Sequence, residues 1–169
     1  IVRARPHVAS RSGRLRKPDM SMRGSCSCNN IQLVWHTIDY SVVPRACQCE
    51  YCLAKGAAYV SKSGTAVDVL VHKERLQREI EHGSRNARFH ECANCGDVVL
   101  VTAEIDGIIY GALNARCMKN ALGFPAAVKT DFFGHSAEQK RDRWRQNWCH
   151  PVTITSPGGE VLTAPETRM

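Results

Sequence analysis

Seven of the chain's nine cysteines fall into three tight groups: Cys26 with Cys28, Cys47 with Cys49 and Cys52, and Cys92 with Cys95. Zinc takes four ligands in a tetrahedron at about 2.3 Å from each sulfur, so ligands drawn from one segment must stand one to four residues apart with a turn between them. All three groups meet that condition. In the last, Gly96 directly follows Cys95 and can adopt the positive φ that turns backbone amides towards sulfur, as in a zinc knuckle.

Seven thiolates fill one closed site of four and leave three over. Four protein ligands make a structural zinc, and three with a vacant fourth position make one open for chemistry, so the count predicts two zinc ions per chain, one of each kind. Spacing alone leaves the closed set open between Cys26, Cys28, Cys92, Cys95 and Cys49, Cys52, Cys92, Cys95; only the first choice leaves a compact triad. A zinc held by three thiolates carries net −1, which makes it a poor Lewis acid for water and a better host for a soft sulfur ligand. A substrate thiol entering the fourth position would lose its proton, and its electron-rich sulfur can attack an aldehyde carbon.

The competing use of cysteine, a disulfide scaffold, fits poorly. Such scaffolds spread their cysteines through chains too small to bury a core, whereas 169 residues suffice for one domain with a real core. Clustered thiols without a recognisable signal peptide predict metal in a reducing compartment, the cytosol. The CxxC of Cys49 and Cys52 lacks the βαβ surroundings of a redox motif. Cys117 and Cys149 are read as buried small apolar residues. The histidines have no ligand-like spacing to one another; His36 and His90, nearest the cysteine groups, are read as hydrogen-bonded structural residues. Lys55, just beyond Cys52, is by default an exposed lysine that could meet a carboxylate of an acidic substrate.

The elements that must hold these groups read mainly as short strands. Ile31, Leu33 and Trp35 alternate with Gln32, Val34 and His36, and the valines of 67–71 fall on one face. In 97–110 two apolar runs flank Asp106-Gly107, a two-residue hairpin turn. Leu76 to His82 fits either helix or strand, and the alternation of Leu76 and Ile80 with Gln77 and Glu79 favours strand. One C-terminal helix is predicted over 137–148, with Ser136 and Gln139 as a capping box and Pro151 beyond its end. Trp144 and Trp148, four apart, share a face that would anchor the helix on the sheet.

Charge narrows the function classes. The formal net charge is +7, but residues 1–23 carry seven basic side chains against Asp19, and the rest of the chain 16 basic against 15 acidic. The basicity belongs to the tail, so the body offers no stripe for nucleic acid. No apolar run approaches the ~18 residues of a membrane span. Residues 1–21 are predicted as a disordered basic tail, read as upstream sequence ahead of a start at Met20 or Met22 and, second, as a transit peptide. The zinc-binding domain is placed at 22–155 and a flexible C-terminal tail at 156–169.

Together, GSCSC at 24–28, ACQCEYC at 46–52, CANCG at 92–96, the LNARC stretch and the closing RDRWRQNW resemble the glutathione-dependent formaldehyde-activating enzymes, a family that includes centromere protein V. The resemblance covers nearly all of residues 22–155. It implies a β-tent fold, a structural zinc on Cys26, Cys28, Cys92 and Cys95, and a functional zinc on Cys47, Cys49 and Cys52. It further implies a carbon-sulfur lyase that joins glutathione and formaldehyde as S-hydroxymethylglutathione. Because the same family holds centromere protein V, it also implies an alternative, a non-catalytic zinc-binding scaffold.

Overall fold

The structure, a computed structural model, describes residues 19–82, 86–120 and 122–162. It is mainly β. The strands are β1 (Met22–Ser25), β2 (Ile31–Trp35), β3 (Arg45–Cys47), β4 (Tyr59–Val60), β5 (Val67–Val71), β6 (Gln77–Glu81), β7 (Arg88–Cys92), β8 (Val98–Ile105), β9 (Ile108–Asn114), β10 (Val128–Thr130) and β11 (Val152–Thr155). Two helices join them, α1 (Glu50–Lys55) and the C-terminal α2 (Ala137–Asn147).

A four-stranded sheet, in the order β1-β2-β5-β11, packs against a seven-stranded sheet in the order β10-β3-β4-β9-β8-β7-β6. Period-two patterning sets the core between them: Ile31, Leu33 and Trp35 of β2 and Val67, Val69 and Val71 of β5 are all buried and pack with Leu100 and Leu113 of the larger sheet. The indole of Trp35 satisfies its N–H on Thr65 Oγ1 at 2.8 Å. The β8-β9 hairpin turns on Asp106 and Gly107, with φ of 52° and 77°, the two positive values a type I′ turn requires. The ambiguous stretch from Leu76 resolves into a short 3₁₀ turn, Glu74–Leu76, followed by β6.

A β-bulge matters for the site. His90 pairs with Leu100 but Glu91 pairs with Val98, so Val99 is an extra residue. As a result Val99 and Leu100 both enter the inter-sheet core, while Val98 and Val101 join the opposite face of the large sheet. That second face lines a cavity beside Cys47, Cys49 and Cys52.

Gly24 crosses Met118 in an isolated bridge, where a Cβ would meet the Cys117 carbonyl at 2.7 Å and Met118 Sδ at 2.8 Å; only glycine allows the approach. Pairing continues past the expected boundary at 155: Leu162 N–H donates to Ile154 O, and Thr155 bridges Val161. The expected tail at 1–21 falls, except for its last three residues, outside the described residues, as does 163–169. Among the described residues no helix is long and apolar enough to cross a membrane.

Candidate metal centres

Cys26 directly follows β1, and Cys28 lies in the tight turn that Asn29 N–H closes on Cys26 O, Asn29 itself having φ of 63°. Cys92 ends β7, and Cys95 follows in the knuckle that Gly96 completes at φ +78°. These four sulfurs lie within 4.8 Å of one another, with Cys26 to Cys28 at 3.7 Å and Cys28 to Cys92 at 3.5 Å. The edge of a tetrahedron with 2.3 Å zinc–sulfur bonds is about 3.8 Å, whereas a disulfide is about 2.05 Å. The spacing fits a shared cation and no covalent bond; all nine cysteines are free thiols.

Backbone amides complete the donor geometry. Ile31 N–H points at Cys26 Sγ, Asn30 at Cys28, and Asn94 and Cys95 at Cys92. The two halves of the site are tied by Asp97, whose Oδ2 accepts from both the amide (2.7 Å) and hydroxyl (2.5 Å) of Ser27, between Cys26 and Cys28. Burial pushes the Cys26 thiol up to about 12, while hydrogen bonding from Asn94 lowers Cys28 to about 6. Without a cation Cys28 ionises readily while burial makes Cys26 and Cys92 resist; a divalent ion would allow thiolates to stand side by side.

The second group is built by β3 and α1. Cys47 ends β3, and Cys49 is the N-cap of α1, its sulfur accepting from Cys52 N–H at 3.4 Å. Cys52 lies in the first turn of that helix and is buried. Gly56 closes α1 at φ 60°, where a Cβ would strike the Arg116 guanidinium. The three sulfurs again lie within 4.8 Å. A hydrogen bond from Cys52 lowers Cys47 to about 6, and the same bond together with burial raises Cys52. Tyr59 Oη lies 3.5 Å from Cys52 Sγ, and burial raises the phenol, which stays a protonated donor.

The structure therefore brings together the two groups predicted as metal ligands, Cys26, Cys28, Cys92 and Cys95 in one and Cys47, Cys49 and Cys52 in the other. Both are compatible with a metal ion. They differ in surroundings. The triad faces a cavity of about 470 Å³, walled by Tyr59, Phe89, Phe132, Trp144 and Trp148 and edged by Arg45 and Asp131. Trp144 and Trp148 stack at 4.7 Å between ring centroids; Trp148 packs against the core on this face of the sheet, and both form the cavity's aromatic wall.

No family model and no curated protein matches the chain. A likeness exists among solved structures. The crystal structure of a Rhodobacter sphaeroides protein, a structural-genomics target, aligns at 19% identity with a TM-score of 0.48, covering 63% of this chain and 100% of that one. Similarity at that level carries no functional argument.

Lys55 is not free for a substrate. Its Nζ pairs with Glu91 Oε1 at 2.8 Å and donates to Gly96 O at 3.0 Å. Glu91, whose side chain is only 3% exposed, also accepts from Tyr51 Oη at 2.7 Å and lies 3.5 Å from Arg78. Burial opposes its charge, yet the bonds from Lys55 and Tyr51 and the positive charges of Lys55 and Arg78 hold its carboxyl below the usual range. Tyr51 precedes Cys52, Glu91 precedes Cys92 and Gly96 follows Cys95, so this network is a strut between the two cysteine groups.

His90 takes the structural role. Buried, and with its Nδ1 accepting from Gln77 Nε2 at 2.9 Å, it carries its proton on Nε2 towards Thr102 Oγ1 at 2.7 Å, and burial lowers it to about 4. His36 pairs with Asp68 at the surface. Cys117 and Cys149 are buried, and burial raises both thiols. Sequence reasoning missed α1, the strut and the cavity's basic edge. Glu50 in a first turn, Lys55 in a last turn and Gly56 after it were the signals for the helix.

Proposed function

We propose that the metal is zinc at both sites and that the chain is a carbon-sulfur lyase of the glutathione-dependent formaldehyde-activating type, joining a thiol to an aldehyde. The observation that supports this most is the contrast in ligand number between a four-sulfur group, enough to fill a tetrahedral metal, and a three-sulfur group that lines a 470 Å³ cavity with aromatic walls. The resemblance names glutathione and formaldehyde as substrates and S-hydroxymethylglutathione as product.

Cys47, Cys49 and Cys52 would hold the zinc, and the chemistry it would supply when bound is a soft Lewis acid that favours the deprotonated, nucleophilic form of a substrate sulfur. The chain's residues do the rest. The Cys49 cap and the amides of Cys49 and Cys52 fix three sulfurs on one side of the cavity. Tyr59 donates to Cys52 Sγ and holds its orientation. The aromatic wall offers apolar surface beside the three sulfurs for the rest of the substrate. In the addition, a carbon–sulfur bond forms at the aldehyde carbon, the carbonyl π-bond breaks onto oxygen, and that oxygen takes up the proton the thiol gave up; the reverse reaction restores both partners.

The test is zinc-loaded protein with glutathione and formaldehyde, followed by exchange NMR. Faster adduct formation and measurable glutathione binding are expected, and protein that does neither defeats the proposal.

One observation favours a second reading, a non-catalytic scaffold of the centromere protein V type. The Tyr51-Glu91-Lys55 strut makes the triad's helix part of the framework around the other site. An exchangeable non-protein ligand on the second metal would speak for the enzyme; a site inert to added thiols would speak for the scaffold.

A further inference from the structure

The floor of the cavity beside the three sulfurs is apolar. Cys47, Cys49 and Cys52 pack in one hydrophobic cluster with Tyr59, Phe89, Val101 and Ala112, and all of them line the cavity. Phe89 on β7 is the cross-strand partner of Val101 on β8, and Val101 is that of Ala112 on β9, so the three form a row across the sheet. Tyr59 pairs with Asn114, two residues from Ala112, which carries the row on to β4. Tyr59, Val101 and Ala112 are buried. The Tyr59 ring lies 6.5 Å from that of Phe89 at an angle of 52°.

This floor has almost no hydrogen bond to give. Val101 and Ala112 carry no polar side-chain atom, and the hydroxyl of Tyr59 is turned to Cys52 Sγ at 3.5 Å. The polar side chains of the lining, such as Arg45, Gln48 and Asp131, are half-buried or exposed. An amide or carboxylate laid on the floor would lose its water without gaining a partner. The peptide arms of a thiol such as glutathione therefore belong with the polar residues, and the floor is left to the other reactant. Formaldehyde does not fill it. Its two non-hydrogen atoms take up of the order of the ~30 Å³ share of one water, against a cavity of about 470 Å³, and it brings only hydrogen to the rings. A substituent on a carbonyl carbon that meets sulfur beside the triad reaches this floor directly, because the cysteines belong to the same cluster.

We infer that the floor formed by Tyr59, Phe89, Val101 and Ala112 is an aryl subsite, and that the aldehyde this chain is built for carries an aromatic ring where formaldehyde has hydrogen. This rests on the thiol–aldehyde reading above and changes its carbonyl partner. A planar ring covers the row from Phe89 to Ala112 and meets Tyr59 and Phe89 edge-on or offset, the arrangements aromatic pairs favour. The step is a balanced addition: the carbon–sulfur bond forms, the carbonyl π pair moves onto oxygen, and oxygen takes the proton the thiol released. Nothing is oxidised or reduced.

The test uses the zinc-loaded full chain. Fluorine-19 NMR follows 4-fluorobenzyl alcohol, a binding probe without a carbonyl, and exchange NMR follows adduct formation of glutathione with 4-fluorobenzaldehyde and with formaldehyde. The alcohol should bind, and Ala112→Leu, which builds bulk onto the floor, should weaken it about tenfold or more with zinc content unchanged. Acceleration over the uncatalysed exchange should be about tenfold greater for the aryl aldehyde than for formaldehyde, and Ala112→Leu should remove that preference. An alcohol that does not bind, or that binds Ala112→Leu equally well, overturns the subsite. If formaldehyde is accelerated as much as the aryl aldehyde, the lyase reading stands and the aromatic substrate falls. If the alcohol binds the floor and neither aldehyde is accelerated, the subsite stands and the thiol–aldehyde reading fails. Should Ala112→Leu not fold, Phe89→Leu, which removes a ring and keeps an apolar side chain, takes its place.

Discussion

Replacing Lys55 by methionine removes the nearest cation from a carboxylate that water cannot reach. Glu91 is 3% exposed in its side chain, Lys55 Nζ is 2.8 Å away, and the remaining cation, Arg78, is 3.5 Å away and 56% exposed. Removing one partner of a buried pair costs about 3–5 kcal/mol. Here Tyr51 Oη stays bonded and Arg78 can move closer, so about 2–3 kcal/mol is expected. That is a large share of a net stability of ~5–15 kcal/mol. Glu91→Gln should cost less, about 1 kcal/mol, because the ammonium of Lys55 can turn outward on its stem. The double variant should cost less than the two singles together, by more than about 0.5 kcal/mol. Urea unfolding of zinc-loaded protein, followed by circular dichroism, reads all three. Lys55→Met within about 0.5 kcal/mol of the parent, or additive singles, would refute the strut.

Other consequences can be checked independently. Cys95→Ser should give insoluble or molten protein, since a structural zinc contributes an apparent ~10–16 kcal/mol, while Cys49→Ser should stay folded with about one zinc and no thiol-dependent turnover; circular dichroism and elemental analysis distinguish them. His90 should stay neutral, protonated on Nε2, down to about pH 5 in nitrogen-15 NMR. The unfolded chain protonates this ring below about 6.5 and the folded one only near 4, so its contribution disfavours folding as pH falls through that window and vanishes above it; a ring titrating near 6.5 would refute the assignment. Gly24→Ala should cost about 1–3 kcal/mol in urea unfolding, because its methyl meets the backbone of Cys117 and Met118; a neutral substitution would mean that β1 does not sit where described.

Local signals carried much of this fold. Alternation at Ile31–Trp35 and Val67–Val71, the Asp106-Gly107 turn and the Ser136 capping box each depend on residues close in sequence, and each appears where expected. The cysteine groups were legible for the same reason, since a knuckle places two ligands within one turn. Which four sulfurs meet is a long-range fact; spacing left it open, and the pairing of β7 with β8, with Asp97 holding Ser27, brings Cys92 and Cys95 to Cys26 and Cys28. The parallel pairings β3-β10 and β5-β11 join residues far apart in sequence and left no local mark. Lys55 looked like a surface lysine because only the folded chain puts Glu91 beside it. The cavity's aromatic lining was hidden for the same reason, with Phe89 on β7 and Trp144 on α2 facing one space only once the sheet has closed.

The central claim is two metals of different character, and stepwise chelation tests it most directly. Freshly purified protein should contain two zinc ions per chain; a mild chelator should remove one first, and added glutathione should slow that loss without changing the second. One zinc per chain, or two released together at a single rate that glutathione does not alter, would contradict the account.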